Sequence, residues 1–91
     1  MFVAVTRVKN LPAAARERMT EAFRQGARDL AQFSGFLGLE LWTTEDSLDA
    51  VSRWESREAM EAYSTSSAFG AHHAGPSRGG EVVYYDAEVI R

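Results

Sequence analysis

The sequence predicts an α+β domain of the ferredoxin-like kind, βαββαβ, with a four-stranded antiparallel sheet and helices on one face. Three observations predict it. Strand-like runs at residues 2–9, 34–44, 48–55 and 81–90 alternate with one long and one short helical pattern. The central pair of strands is separated only by a short polar turn, so the two strands form a hairpin. Ninety-one residues suffice for one core and no more, which makes residues 1–91 a single domain that hides about 60 to 65% of its unfolded surface.

FVAVTRVK (2–9) is rich in β-branched and aromatic residues and ends at Asn10 and Pro12. From Pro12 to about Ala31, the positions Ala15, Met19, Phe23, Ala27 and Leu30 recur at helical spacing, while Arg16, Glu17, Arg24, Arg28 and Asp29 fall mostly on the other side. Proline suits the first turn, where its missing N–H costs nothing.

SGFLGLELWTT (34–44) opens on a turn signal and continues as a strand, and LDAVSRWE (48–55) is its hairpin mate. Ser56 caps a short helix, REAMEAYST, with Glu58 favourably placed in the first turn. Ser66 caps a second short helix, SAFGAHHA, ended by Gly75 and Pro76. GPSRGG (75–80) is a loop, in which Arg78 is read as solvated, and EVVYYDAEVI (81–90) is the last strand.

Both registers of the strands carry apolar residues. Val3, Val5, Leu37, Leu39, Leu41, Val83 and Val89 stand in one, and Phe2, Ala4, Val8, Phe36, Trp42, Val82, Tyr84 and Ile90 in the other. Two helices cover one face, and an uncovered apolar sheet exceeds the few hundred Å² a monomer usually shows. The expectation is a homodimer packed sheet against sheet, with the pocket between helices and sheet left for a ligand. Trp42 is expected at the dimer seam. Arg7 is expected on that same side, paired with Glu40 or Glu88, because a buried cation needs a carboxylate. Trp54 is expected in the core.

Composition removes several classes of function. Apolar residues at 45% and charged residues at 25% describe an ordinary globular protein. The net charge is −3, with thirteen acidic and ten basic residues. The basic residues are scattered, so nothing follows a phosphate backbone and no nucleic-acid partner is expected. Without cysteine there is neither a disulfide framework nor a thiolate site. No apolar run has the length of a membrane span, and the N-terminus lacks the pattern of a signal peptide, so a soluble cytoplasmic protein without membrane partners is expected.

The two histidines, His72 and His73, are adjacent. Neighbours on a helix point about 100° apart, so one ion cannot be held by both. A protein-only zinc site would have to draw on carboxylates, and no histidine-rich spacing supports one.

SGFLGLEL, RWESREAMEAY and SAFGAHH, in this order from Val3 to Ile90, resemble the antibiotic biosynthesis monooxygenase superfamily of dimeric α+β barrels, nearest to its IsdG-type haem-degrading monooxygenases. The resemblance implies an oxygenase and carries three positions. A histidine that binds haem iron falls on His73, four residues after Phe69. A tryptophan that presses on the macrocycle is replaced by Tyr63, and an asparagine that donates a hydrogen bond is replaced by Thr6.

The implied catalytic set is Thr6, Tyr63 and His73, the implied haem contacts are His73, Phe69 and Phe23, and the implied metal ligand is His73 to haem iron. Tyr63 keeps an aromatic face and adds a hydroxyl, and Thr6 keeps one O–H donor on a shorter arm. GPSRGG is shorter than the loop that helps line the pocket in many IsdG-type proteins. Two further readings stay open: cofactor-independent oxygenation of a small aromatic substrate, and binding of haem or another flat hydrophobic ligand without turnover.

Overall fold

The computed structural model describes residues 1–66 and 81–91. The elements follow in the order β1 (Phe2–Val8), α1 (Ala13–Leu30), β2 (Phe36–Thr43), β3 (Leu48–Trp54), α2 (Arg57–Ser64) and β4 (Glu81–Asp86). The four strands form one sheet in the order β2-β3-β1-β4, and every neighbouring pair is antiparallel. This is the ferredoxin-like α+β arrangement expected from the pattern. The proposed second short helix and the GPSRGG loop, with Phe69, His72, His73 and Arg78, lie outside the described residues.

Local chemistry sets the boundaries. Asn10 takes a left-handed φ of 59° as the chain leaves β1, a conformation that asparagine tolerates better than most residues. Pro12 caps α1 from extended backbone, and its carbonyl accepts from the Arg16 N–H at 3.0 Å. Arg16 then reaches across to donate to the carbonyls of Thr44 and Glu45, tying α1 to the β2–β3 turn. At α2, the Ser56 hydroxyl accepts from the Ala59 N–H at 3.2 Å, as expected of a cap, and Glu58 stands in the first turn.

β4 stops at Asp86 rather than continuing to Ile90. Its partner β1 begins at Phe2, opposite Asp86, and the last bond runs from the Ala87 N–H to the Met1 carbonyl at 2.8 Å. Residues 88–91 therefore run past the end of the strand they would have to pair with.

The faces are also regrouped. A β-bulge lies between Phe36 and Gly38, so β2 changes parity there. Leu39 and Leu41 therefore join Phe36, Phe2 and Val8 under the helices, while Trp42 stands with Val3 and Val5 on the opposite, open face. The expected grouping of Leu39 and Leu41 with Val3 and Val5 fails for that reason. Trp42 does face the side expected to receive a second copy, and it is half exposed.

Under the helices the core has two centres. Phe2, Leu30, Trp54, Met60 and Tyr63 make one, joined by Phe33, Phe36, Leu39 and Ala59. Val8, Leu11, Leu48 and Ala50 make the other, covered by Ala15, Met19, Phe23 and Leu41. Trp54, as expected, is completely buried, and its indole N–H donates to the Ser52 hydroxyl at 3.0 Å. Burial of each such large side chain contributes about 1.5–3 kcal/mol.

Candidate functional site

On the helix side of the sheet the ladder registers lay out rows of side chains. Phe36, Trp54, Phe2 and Asp86 form the first, Leu39, Ser52, Ala4 and Tyr84 the second, and Leu41, Ala50, Thr6 and Val82 the third. Side chains alternate between faces of a strand, so Phe2, Ala4, Thr6 and Val8 share this side of β1. Between the bulky Phe2 and Val8 the floor is therefore made of Ala4 and Thr6, flanked on β3 by Ser52 and by Ala50, which α1 covers through Met19 and Phe23. The floor is low because its residues are small.

This trough opens toward β4. Val82 and Tyr84 point to the same side and are about half exposed, 47% and 53%, whereas their neighbours Ala4 and Ala50 are buried. Tyr84 stacks on Phe2 with ring centroids 5.8 Å apart, and the guanidinium carbon of Arg57, at the start of α2, lies 5.2 Å from the centre of the same ring. One end of the trough is thus aromatic with a cation at its rim.

Thr6 is half-buried, and among the described residues nothing hydrogen-bonds its hydroxyl. It supplies an O–H donor beside the Ser52 hydroxyl, which itself donates to the Ala4 carbonyl at 3.4 Å. Phe23 belongs to the far end, packed with Val8, Leu48 and Ala50.

Tyr63 belongs to the near end. Its ring stacks on Trp54 at 5.7 Å and 21°, and meets Phe33 edge-on at 5.2 Å and 80°. The ring is built into the core and does not stand free over the trough. Burial, and then the negative charge of Asp29, hold the phenol above its ordinary pKa.

Thr6, Phe23 and Tyr63 thus share one side of the sheet, spread along the trough. Sequence reading had not singled out Ala4, Ala50 and Ser52, whose smallness makes the floor, or Phe2, Tyr84 and Arg57, which make the aromatic end. The available signal was the run of small residues at every second position of β1 and β3.

Arg7 does lie on the open face, but its expected pairing is corrected. Glu40 is taken by Arg53, which donates through Nε and Nη2 at 3.1 and 2.8 Å. Arg7 Nη2 donates instead to the Tyr85 hydroxyl at 3.2 Å. Arg53 is one strand from Glu40 and on the same row of the ladder as Gly38, so it reaches that carboxylate first.

Among the described residues, no group of three histidine, aspartate or glutamate side chains is placed to hold a metal ion, and no helix is long and apolar enough to cross a membrane.

The model of the antibiotic biosynthesis monooxygenase family matches residues 1–75. The chain belongs to this monooxygenase family. Along nearly its whole length it is similar to a haem-degrading monooxygenase of Bacillus mycoides (strain KBAB4), at 28% identity over 103 residues, covering 99% of this chain and 94% of the relative. Two solved structures of the same fold illustrate what the family fold hosts. MhuD of Mycobacterium tuberculosis, in a point-mutant form with two manganese protoporphyrin IX bound per active site, superposes with a TM-score of 0.78 at 24% identity, covering 100% of this chain and 98% of that one. SnoaB of Streptomyces nogalater, a cofactor-independent oxygenase, superposes with a TM-score of 0.75 at 18% identity, over 98% and 94%. Shared architecture at such identities fixes the fold and leaves the chemistry to the site.

Proposed function

We propose that this family member is a homodimeric haem-degrading monooxygenase that takes haem, as its substrate, into the trough between helices and sheet. The observation that carries the reading is the helix-side surface of β1 and β4, where half-buried Thr6 lies beside half-exposed Val82 and Tyr84, and Tyr84 stacks on Phe2. The full-length similarity to a haem-degrading relative supports the same choice.

In this reading His73 is the iron ligand, and Phe69, four residues before it in the sequence, is a haem contact. Phe23 closes the far end of the bed by apolar contact. Thr6 offers its hydroxyl hydrogen to oxygen or to a polar edge of the ligand, the role that falls to an amide in the family pattern. Tyr63 contributes a neutral phenol donor held in place by Trp54 and Phe33, and orients what lies beside it rather than pressing on it. Haem, once bound, would supply the iron centre for oxygen activation, with electrons from an external reductant such as ascorbate, one oxygen atom going to the porphyrin and the other leaving as water. The residues present fit this group through an apolar bed with isolated donors.

The test is a haemin titration of the purified protein followed by addition of ascorbate. A sharpened Soret band that decays under ascorbate is the expected result. A band that forms and persists makes the protein a haem binder without turnover, and absence of binding removes haem from the account.

A further inference from the structure

The aromatic end of the trough holds a cation whose hydrogen-bonding capacity the chain leaves unused. Arg57 is the first residue of α2, and its exposed side chain lies with the guanidinium carbon 5.2 Å from the centre of the Phe2 ring. Glu55, Glu58 and Glu61 are near it in sequence, and Asp86 stands opposite Phe2 on the ladder. Among the described residues, none of these carboxylates forms an ion pair with Arg57, and no hydrogen bond engages its side chain. An exposed ion pair contributes little, so these carboxylates are weak competitors for the guanidinium. What holds it is the ring, whose quadrupole attracts the cation and leaves the N–H edge free.

Two arginines of α1 are different. Arg16 donates to the carbonyls of Thr44 and Glu45, and Arg24 pairs with Glu21. On the open face of the sheet, Arg53 is engaged by Glu40 and Arg7 by the Tyr85 hydroxyl.

The surface beside Arg57 is apolar and open. Tyr84 stacks on Phe2 at 5.8 Å and 19°, and Tyr84 and Val82 are about half exposed where Phe2 and Ala4 are buried. Thr6 and Phe2 are four residues apart on β1, about 13 Å along the strand. A flat ring system lying over Thr6 therefore extends along Tyr84 toward Phe2, and its edge arrives beside a guanidinium with unengaged donors.

We propose that Arg57 is a specificity-determining residue, which takes a carboxylate on the periphery of the ring system in two parallel hydrogen bonds while its flat face stays on Phe2. The proposal rests on the haem reading above and names the part of haem that Arg57 addresses, a propionate. Arginine suits both contacts at once, because its planar fork matches the two carboxylate oxygens and its face packs on an aromatic ring. Lysine offers a point charge without the fork. Esterifying the carboxylates of the ligand removes the negative charge and the paired acceptors and leaves the ring system as it was, so acid and ester separate the two contributions to binding.

The test titrates haemin and haemin dimethyl ester, in one detergent-containing buffer, into the parent, Arg57→Gln and Arg57→Lys, with the Soret band as readout. The parent is expected to bind haemin at least about tenfold more tightly than the ester, the scale of a hydrogen bond between charged groups. Arg57→Gln is expected to weaken haemin about tenfold and to leave the ester within about twofold, and Arg57→Lys to fall between parent and Arg57→Gln for haemin. The side chain is exposed, so thermal midpoints of both variants are expected to match the parent's. Equal losses for acid and ester in Arg57→Gln overturn the proposal, since Arg57 then only shapes the site. Unchanged haemin affinity in Arg57→Gln, or a parent that binds acid and ester alike, also overturns it, and both leave the haem reading standing. A parent that binds neither ligand overturns the proposal together with the haem reading.

Discussion

Tyr63 and Trp54 stack at 5.7 Å with ring planes 21° apart, so the residue standing where the family pattern has a macrocycle-pressing tryptophan is engaged by the protein's own core. Under the proposed function, the phenol end and not the ring face is what Tyr63 would offer to chemistry. Tyr63→Phe keeps the stack and removes only the hydroxyl. The expected outcome is a thermal midpoint within a few degrees of the parent and a slower loss of the Soret band under ascorbate. Tyr63→Ala is uninformative about catalysis, since emptying a packed aromatic site costs about 3–5 kcal/mol, a large part of the stability of so small a domain.

The same residue gives a pH dependence. The folded phenol has its pKa raised, first by burial and then by Asp29. The folded state therefore holds the proton more tightly than the unfolded state, so this contribution is fully present below the ordinary tyrosine value of about 10 and is lost as pH rises through the folded value. Denaturant midpoints measured upward from pH 9 are expected to fall more steeply for the parent than for Tyr63→Phe. Parallel curves would remove Tyr63 as the cause.

Thr6 separates binding from turnover. Thr6→Val preserves shape and β-propensity while deleting the Thr6 donor, so haemin affinity is expected to stay within about threefold. The rate of ascorbate-driven Soret decay is expected to drop about 10²-fold, the scale for removing a donor that stabilises developing charge. Unchanged decay would show that the hydroxyl plays no part in the reaction. Thr6→Asn, which restores the amide of the family pattern, is expected to raise the rate above the parent's.

His73 and His72 are separated by the same titration. His73→Ala is expected to weaken haemin binding at least about tenfold, about 1.4 kcal/mol, and to abolish the sharpened Soret band. His72→Ala is expected to leave both unchanged. The opposite pattern would move the ligand to His72 and shift the alignment with the family by one residue.

How far the sequence carried can be argued from β2. Its existence and pairing with β3 were legible in LGLELW, because alternation and a short turn specify a hairpin. Its parity was not, because a bulge at Phe36–Gly38 leaves no signature beyond a glycine, and one extra residue exchanges the faces of everything before it. The core role of Trp54, the cap at Ser56 and the open-face side of Arg7 followed from local rules. The partner of Arg7 did not, since choosing between carboxylates depends on distances across the sheet. The trough was invisible for a related reason: Ala4, Thr6, Ala50 and Ser52 are far apart in the chain, and only strand register brings them into one floor.

Gly35 is where the family phrase GFLG meets hard geometry. Its φ of 86° is in the left-handed region, and a Cβ built there would lie 2.6 Å from the Cβ of Ala59 on α2. Its carbonyl also accepts the Glu55 N–H at 2.8 Å, so the backbone cannot simply swing away. Gly35→Ala incurs both the left-handed penalty of about 1–2 kcal/mol and the cost of pushing α2 off the sheet, about 1–3 kcal/mol for an overpacked contact. The expected loss is about 2–5 kcal/mol in urea unfolding. Ala59→Gly alone is expected to cost about 1 kcal/mol as a helix-interior glycine, yet in the Gly35→Ala background it removes the clashing atom. The double variant is therefore expected to be more stable than Gly35→Ala by itself. Strict additivity of the two losses would show that the contact between the two residues is not what excludes a side chain at position 35.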